Sequence, residues 1–312
     1  MAMKIEEVRD SLRGVAAGLL TPFDDELDIA HEKLHENANT LYEQGIRTFL
    51  GAANISEYHS LSRDERVGVI ETSVDALPDD TCVIAGVGGS TKDAQELARG
   101  YADAGADALM VMPPHHAFVH ERGLLQYYRE LASATDLTLA PYIRGFVPSV
   151  DFLGDLTRIE GVAGIKFALE DPSLLSAGVA AGTDDVIWID GLAEPYAVPF
   201  WAAGAEGFSA GVSNFRPEVG LALFEALRTE EFERARSLAA ICGPYQRFRG
   251  TPGEGNSLSG GISIPVVKKG LELAGLYGGR VREPLISLTT AEERRVEALY
   301  DELDDHINTH IG

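Results

Sequence analysis

Residues 82–112 read CVIAGVGGSTKDAQELARGYADAGADALMVM, and this stretch decides the fold. Its first six residues, Cys82 to Val87, form a short apolar run bounded by Gly88-Gly89, the mark of a strand buried on both faces. Ser90 or Thr91 can then cap a helix whose apolar residues Ala94, Leu97, Ala98, Tyr101 and Ala102 recur at helical spacing. Gly105 stops that helix, and a second apolar run begins at Ala108. Strand, helix and strand within about 30 residues make a parallel βαβ unit. Similar apolar runs occur at 15–23, 47–53, 137–143, 162–168, 186–190 and 208–212, separated by helix-like stretches. Eight such units predict an α/β fold, a (β/α)8 TIM barrel, since a doubly wound sheet rarely needs so many.

Beyond residue 212 the strands stop. Residues 217–228, 230–247 and 264–276 read as helices, with a Gly/Ser-rich loop at 250–261. The last helix is expected to open on a capping box, Thr290-Ala-Glu-Glu293. The expected division is a barrel over 1–215 and a C-terminal helical extension over 216–312, packed on the barrel.

The chain has 312 residues, with 26 Lys+Arg against 49 Asp+Glu and a formal net charge of −23. That balance argues against nucleic acid and against an anionic membrane surface, both of which select clustered basic residues. No apolar run reaches the roughly 20 residues of a spanning helix, and MAMKIEEVRD has no signal-peptide hydrophobic core. Cys82 and Cys242 match no metal spacing, and Cys82 reads as a small buried hydrophobe. The expectation is a soluble cytoplasmic protein. Its acids are dispersed in groups such as Asp24-Asp25-Glu26, Asp184-Asp185 and Asp304-Asp305, which favours a high-salt, halophilic cytoplasm over a merely acidic cytosolic enzyme.

Barrel active sites lie at the C-terminal ends of the strands. That rule selects Thr21, Asn54 and Ile55, His115 and His116, Tyr142 and Arg144, Lys166, Asp190 and Gly191, and Ser209, Ser213 and Asn214. Lys166 stands out, because a lysine inside the apolar run Val-Ala-Gly-Ile-Lys-Phe-Ala is costly to bury as a cation. An amine kept partly neutral is a nucleophile able to form a Schiff base with a ketone. The plainer alternative is a lysine that reaches out at the strand end or pairs with Glu170 or Asp171. Tyr142 lies one strand earlier, and neighbouring strands run roughly 5 Å apart, so its phenol can reach that amine and move protons. A tyrosine packed at the rim with its hydroxyl in water is the alternative there.

These residues resemble the dihydrodipicolinate synthase / N-acetylneuraminate lyase family of class I aldolases. The resemblance covers essentially the whole chain. It is carried by Gly18-Leu-Leu-Thr21-Pro22-Phe23, Ala85-Gly86-Val87-Gly88, Pro113-Pro114, Tyr142, the signature Gly164-Ile165-Lys166, and Gly207 leading to Asn214. It implies Lys166 as the imine-forming nucleophile, Tyr142 as proton shuttle, no metal or organic cofactor, and a homotetramer built from dimers. Departures are equally informative. Where the family has Gly-Thr-Thr-Gly-Glu, this chain has Ala53-Asn54-Ile55-Ser56-Glu57, leaving Asn54 as the polar substitute for a catalytic threonine relay. Backbone N–H groups at Asn54 and Ile55 can still bind a carboxylate. Val147 stands where the synthase branch carries an arginine for its second substrate, with Arg144 as a stand-in, and His115-His116 replaces paired tyrosines.

Those departures favour a 2-keto-3-deoxy sugar acid as substrate over lysine biosynthesis. Gly123-Leu-Leu-Gln-Tyr-Tyr128 and the segment from Gly204 to Phe215 resemble the ketodeoxyglucarate dehydratase-type members. Thr21, Ile55, His116, Arg144, Gly191, Ser209, Ser213 and Asn214 are the expected substrate contacts. The alternatives are a dihydrodipicolinate synthase condensing pyruvate with aspartate semialdehyde, a metal-dependent aldolase using His115, His116 and Asp190, and a catalytically silent sugar-acid binder. A phosphate-binding barrel enzyme is weaker, because the loops after the seventh and eighth strands lack a Gly-rich cradle. Lys268 and Lys269 are expected on a solvated helix face, and Trp188 and Trp201 in the core or an interface.

Overall fold

The computed structural model describes residues 2–114 and 116–311. Eight strands close into one parallel barrel in sequence order, β1 pairing with β8. The strands are β1 Val15–Gly18, β2 Thr48–Gly51, β3 Cys82–Val87, β4 Ala108–Val111, β5 Thr138–Ile143, β6 Gly164–Phe167, β7 Ile187–Asp190 and β8 Gly207–Ser209. Helix α1, Ile5–Leu12, precedes them. The barrel helices follow the strands in turn: α2 His31–Glu43, α3 Arg63–Ala76, α4 Thr91–Asp103, α5 Glu121–Ala132, α6 Val150–Thr157, α7 Pro172–Ala181, α8 Glu194–Ala202 and α9 Pro217–Arg228. Then come α10 Phe232–Arg249, α11 Ser263–Leu273 and α12 Thr290–His310.

The deciding βαβ unit folds as its residues dictate. Ser90 caps α4, its Oγ accepting from the Asp93 N–H at 3.3 Å. Ala94, Leu97, Ala98 and Tyr101 are buried against the sheet, and the Tyr101 hydroxyl donates to the Gly86 carbonyl at 3.0 Å. Gly105 takes φ +89°, a left-handed value that glycine adopts freely. Cys82 and Trp188 are core residues, and burial pushes the Cys82 thiol far up. Trp201 is partly exposed and sets its ring edge-on to Phe224.

All eight expected strands exist, but several are shorter than their apolar runs. β1 ends at Gly18 because its ladder ends there, while Leu19, Leu20, Thr21 and Phe23 stay buried beyond it. Helix α9 packs on β1 and α8, and α10 is laid across α8 and α9. Two expectations need correction. The last helix is capped by Thr289, not Thr290, with Glu292 completing the capping box. Lys268 is not on a solvated face: its side chain is 3% exposed and its ammonium lies 2.6 Å from the Glu57 carboxylate. Lys269 is the outward one, near Glu272 and Glu297. Among the described residues no helix is long and apolar enough to cross a membrane.

Candidate active site

At the C-terminal mouth β5 and β6 align so that Tyr142 and Lys166 are direct register partners. Parallel partners point to the same face, and the Lys166 Nζ lies 4.7 Å from the centre of the Tyr142 ring. Lys166 is the one residue of β6 that is not fully buried, as an amine that must meet a ligand requires. Burial draws the Lys166 ammonium below the ordinary lysine range; Tyr142 opposes that shift, and the Arg144 and Arg249 guanidiniums add to it. Burial alone would raise the Tyr142 phenol. The charges of Lys166 and Arg144, with a hydrogen bond from Arg144 Nη1 at 3.2 Å, outweigh it and hold the phenol below its usual value.

Gly191 follows β7 and passes tightly over β6. A Cβ there would lie 2.7 Å from Ala168 Cβ and 3.2 Å from Lys166 Cγ, so only glycine leaves the lysine stem its room. Asp190, just before it, is fully buried, and its Oδ1 accepts from the Leu192 N–H at 2.6 Å. Burial, with Glu194 nearby, pushes that carboxyl well above the usual carboxylate range, against the pull of the Leu192 N–H and Lys166.

The loop after β2 supplies the other side. Asn54–Ser56 forms a single 3-10 turn, and the N–H groups of Asn54 and Ile55 donate to nothing in the protein among the described residues. Ile55 packs over Gly18. Ser56 Oγ donates to the Leu19 carbonyl at 2.5 Å and Thr21 Oγ1 to the Ser56 carbonyl at 2.7 Å, so this turn is tied to the end of β1. Thr21 is thereby buried and committed to the backbone.

Several of the expected substrate contacts also make hydrogen bonds within the scaffold. Ser213 is buried and donates to Glu194 Oε1 at 2.7 Å. Asn214 is buried too, its Oδ1 accepting from the Gly18 N–H at 2.7 Å and its Nδ2 donating to the Ala210 carbonyl. Ser209 Oγ donates to the Asp190 carbonyl at 3.3 Å. His116 is exposed, with Nδ1 accepting from the Phe118 N–H at 3.1 Å. His115 lies outside the described residues. Val147 is 79% exposed.

Sequence reasoning missed Glu194. This buried acid opens α8 and accepts from the N–H groups of Gly211 at 2.9 Å and Ser213 at 2.8 Å, and from Gln246 Nε2 at 2.8 Å. It therefore fixes the loop after β8 and joins it to α10. Its only local signal was an acid in a helix's first turn.

A model of the Dihydrodipicolinate synthetase family matches residues 11–303. The chain belongs to that family. A 4-hydroxy-tetrahydrodipicolinate synthase from Natronomonas pharaonis is 30% identical over 95% of this chain and 99% of its own. A probable 5-dehydro-4-deoxyglucarate dehydratase of Streptomyces avermitilis is 31% identical over 88% of this chain and 87% of its own. The crystal structure of dihydrodipicolinate synthase from Bacillus clausii superposes with a TM-score of 0.90 at 27% identity, covering 95% and 99% of the two chains. Members of the Dihydrodipicolinate synthetase family are Schiff-base class I lyases, and this chain is a lyase of that class.

Proposed function

We propose that the chain is a Schiff-base lyase acting on a 2-keto-3-deoxy sugar acid. The observation that carries the reading is the pairing of Tyr142 with Lys166 across β5 and β6. The neutral Lys166 amine attacks the C2 ketone, and Tyr142 delivers the proton that lets the carbinolamine hydroxyl leave as water. The resulting iminium draws electrons from C3. If C3 loses a proton, the enamine expels the C4 hydroxyl, which leaves as water after protonation. If the C4 hydroxyl is deprotonated instead, the C3–C4 bond breaks, C4 departs as an aldehyde, and the C3 enamine takes up a proton before hydrolysis of the imine releases pyruvate. The open N–H groups of Asn54 and Ile55 hold the C1 carboxylate.

The synthase relative from Natronomonas pharaonis supports a second reading, condensation of pyruvate with aspartate semialdehyde. Val147, exposed where that branch has its arginine, favours the first. Incubation with pyruvate and borohydride is expected to add one pyruvate-derived mass to the protein. A panel of 2-keto-3-deoxy acids with aspartate semialdehyde included then separates the two, and turnover of the semialdehyde alone would sink the sugar-acid reading.

The dispersed acids are proposed as an adaptation to high salt. Screening at 1 M salt contracts to about 3 Å, which removes the mutual repulsion of surface carboxylates. The thermal midpoint is expected to rise as KCl goes from about 0.1 M to about 2 M. A flat or falling midpoint would contradict the proposal.

A further inference from the structure

Arg144 follows β5 by one residue and Tyr142 by two, so the two-residue period of an extended chain turns both side chains to one face. The outcome is the 3.2 Å hydrogen bond from Arg144 Nη1 to the Tyr142 hydroxyl oxygen. Tyr142 is 4% exposed, whereas Arg144 is open to solvent. A guanidinium that keeps its water stays charged at little cost, and it can still reach inward with one N–H.

The phenol therefore has a cation in each of two places. The Lys166 Nζ lies against the ring, 4.7 Å from its centre, and the Arg144 guanidinium sits on the oxygen. A hydrogen bond from a cation favours a phenolate over a neutral phenol, because only the phenolate carries a full charge on the accepting atom. The charged groups that act on this phenol are Lys166 from β6, Arg144 from its own strand end and Arg249 from α10. All are cations, and together they outweigh the burial that would raise it. The oxygen they favour as an anion is the atom that must lose and regain a proton in the imine reaction.

We propose that Arg144 is a positioning residue, one that holds the Tyr142 oxygen and carries its negative charge between two proton transfers rather than gripping the substrate. This rests on the imine reading above. In the first transfer the phenol O–H gives its proton to the carbinolamine hydroxyl. The C–O bond breaks, water leaves, the nitrogen lone pair closes the iminium, and the phenolate remains on the Arg144 N–H. In the second, the phenolate takes a proton from C3. The C–H electrons become the C2–C3 double bond of the enamine, the C=N π pair returns to nitrogen, and the phenol is restored. Arg144 stays protonated throughout.

Pyruvate tests this without any sugar acid, since its methyl carbon is C3. Exchange of the methyl protons in heavy water, followed by proton NMR, requires both transfers. With each variant taken at its own pH optimum, Arg144→Met is expected to slow the maximal exchange rate on the order of 10- to 100-fold, with the half-saturating pyruvate concentration within about threefold. Tyr142→Phe slows exchange at least as much, and adding Arg144→Met to it costs nothing further. Among the chain's 10 tyrosines, the phenol whose ultraviolet titration is lost in Tyr142→Phe is expected below the ordinary value. It moves up in Arg144→Met and part of the way back in Arg144→Lys. The thermal midpoint of Arg144→Met stays at the wild-type value, because the substituted side chain is exposed. An unchanged exchange rate, or a raised half-saturating concentration at an unchanged maximal rate, would overturn the proposal, the latter by making Arg144 a carboxylate grip. Losses that multiply in the double variant, with the phenol titration unmoved, would overturn it as well. Absence of both exchange and borohydride trapping in the wild type would instead overturn the imine reading.

Discussion

Lys166→Ala is expected to abolish the borohydride-stable pyruvate adduct and to lower turnover by about 10^4-fold or more. The size follows from the absence of a substitute amine. Lys268 is the other sheltered lysine, but its ammonium is held 2.6 Å from the Glu57 carboxylate and under the Phe23 ring. Lys269 faces outward near Glu272 and Glu297. Neither can replace a nucleophile set beside Tyr142. Lys166 also works under a favourable charge balance: burial first, then Arg144 and Arg249, draw its pKa below 10.5, and Tyr142 only partly restores it. More of the amine is therefore neutral near neutral pH than for a lysine in water. Adduct formation by the wild type is expected to rise with pH and level off below the ordinary lysine value. An adduct of unchanged yield in Lys166→Ala, located by peptide mass on another lysine, would show that the site is misplaced.

That lysine was legible in the sequence because it broke a pattern. A cation inside an apolar strand is a local contradiction, and the alternation of strands places Tyr142 beside it. The eight strands were legible for the same reason, since each is a buried run. Their ends were not: hydrophobicity reports burial, and Leu19 to Phe23 remain buried after the β1 ladder has stopped. Helix α9 reads like α10 in sequence, and only the β1–β8 pairing shows that it follows the strand that closes the barrel. Strand-end position alone could not show that Thr21, Ser213 and Asn214 bond to the Ser56 carbonyl, Glu194 and the Gly18 N–H. Glu194 and Lys268 act through partners far away in sequence, and nothing local to them signals it.

The other large effect is expected at a lysine outside the reacting atoms. Lys268→Met should destabilise the fold by about 3–5 kcal/mol, because it leaves the Glu57 carboxylate buried without its cation. The two side chains are 3% and 0% exposed, and the pair joins α11 to the loop that carries Asn54 and Ile55. Glu57 sits in a left-handed conformation at φ +59°, a position most side chains avoid, and its Oε2 also accepts from the Arg282 N–H at 3.1 Å. Arg282 in turn donates to the Leu27 and Ser60 carbonyls and to Glu65, whose carboxyl it draws down to about 2. The substrate-side turn is thus clamped from the extension by one charged network. Adding Glu57→Gln to Lys268→Met removes the orphaned charge while keeping an acceptor for Arg282, and is expected to recover about 1–2 kcal/mol. Urea unfolding of the two single variants and the double variant measures both figures. If the single losses simply add, the pair is not an energetic unit, and the hydrogen bonds of Thr21 and Ser56 alone hold the Asn54–Ser56 turn in place.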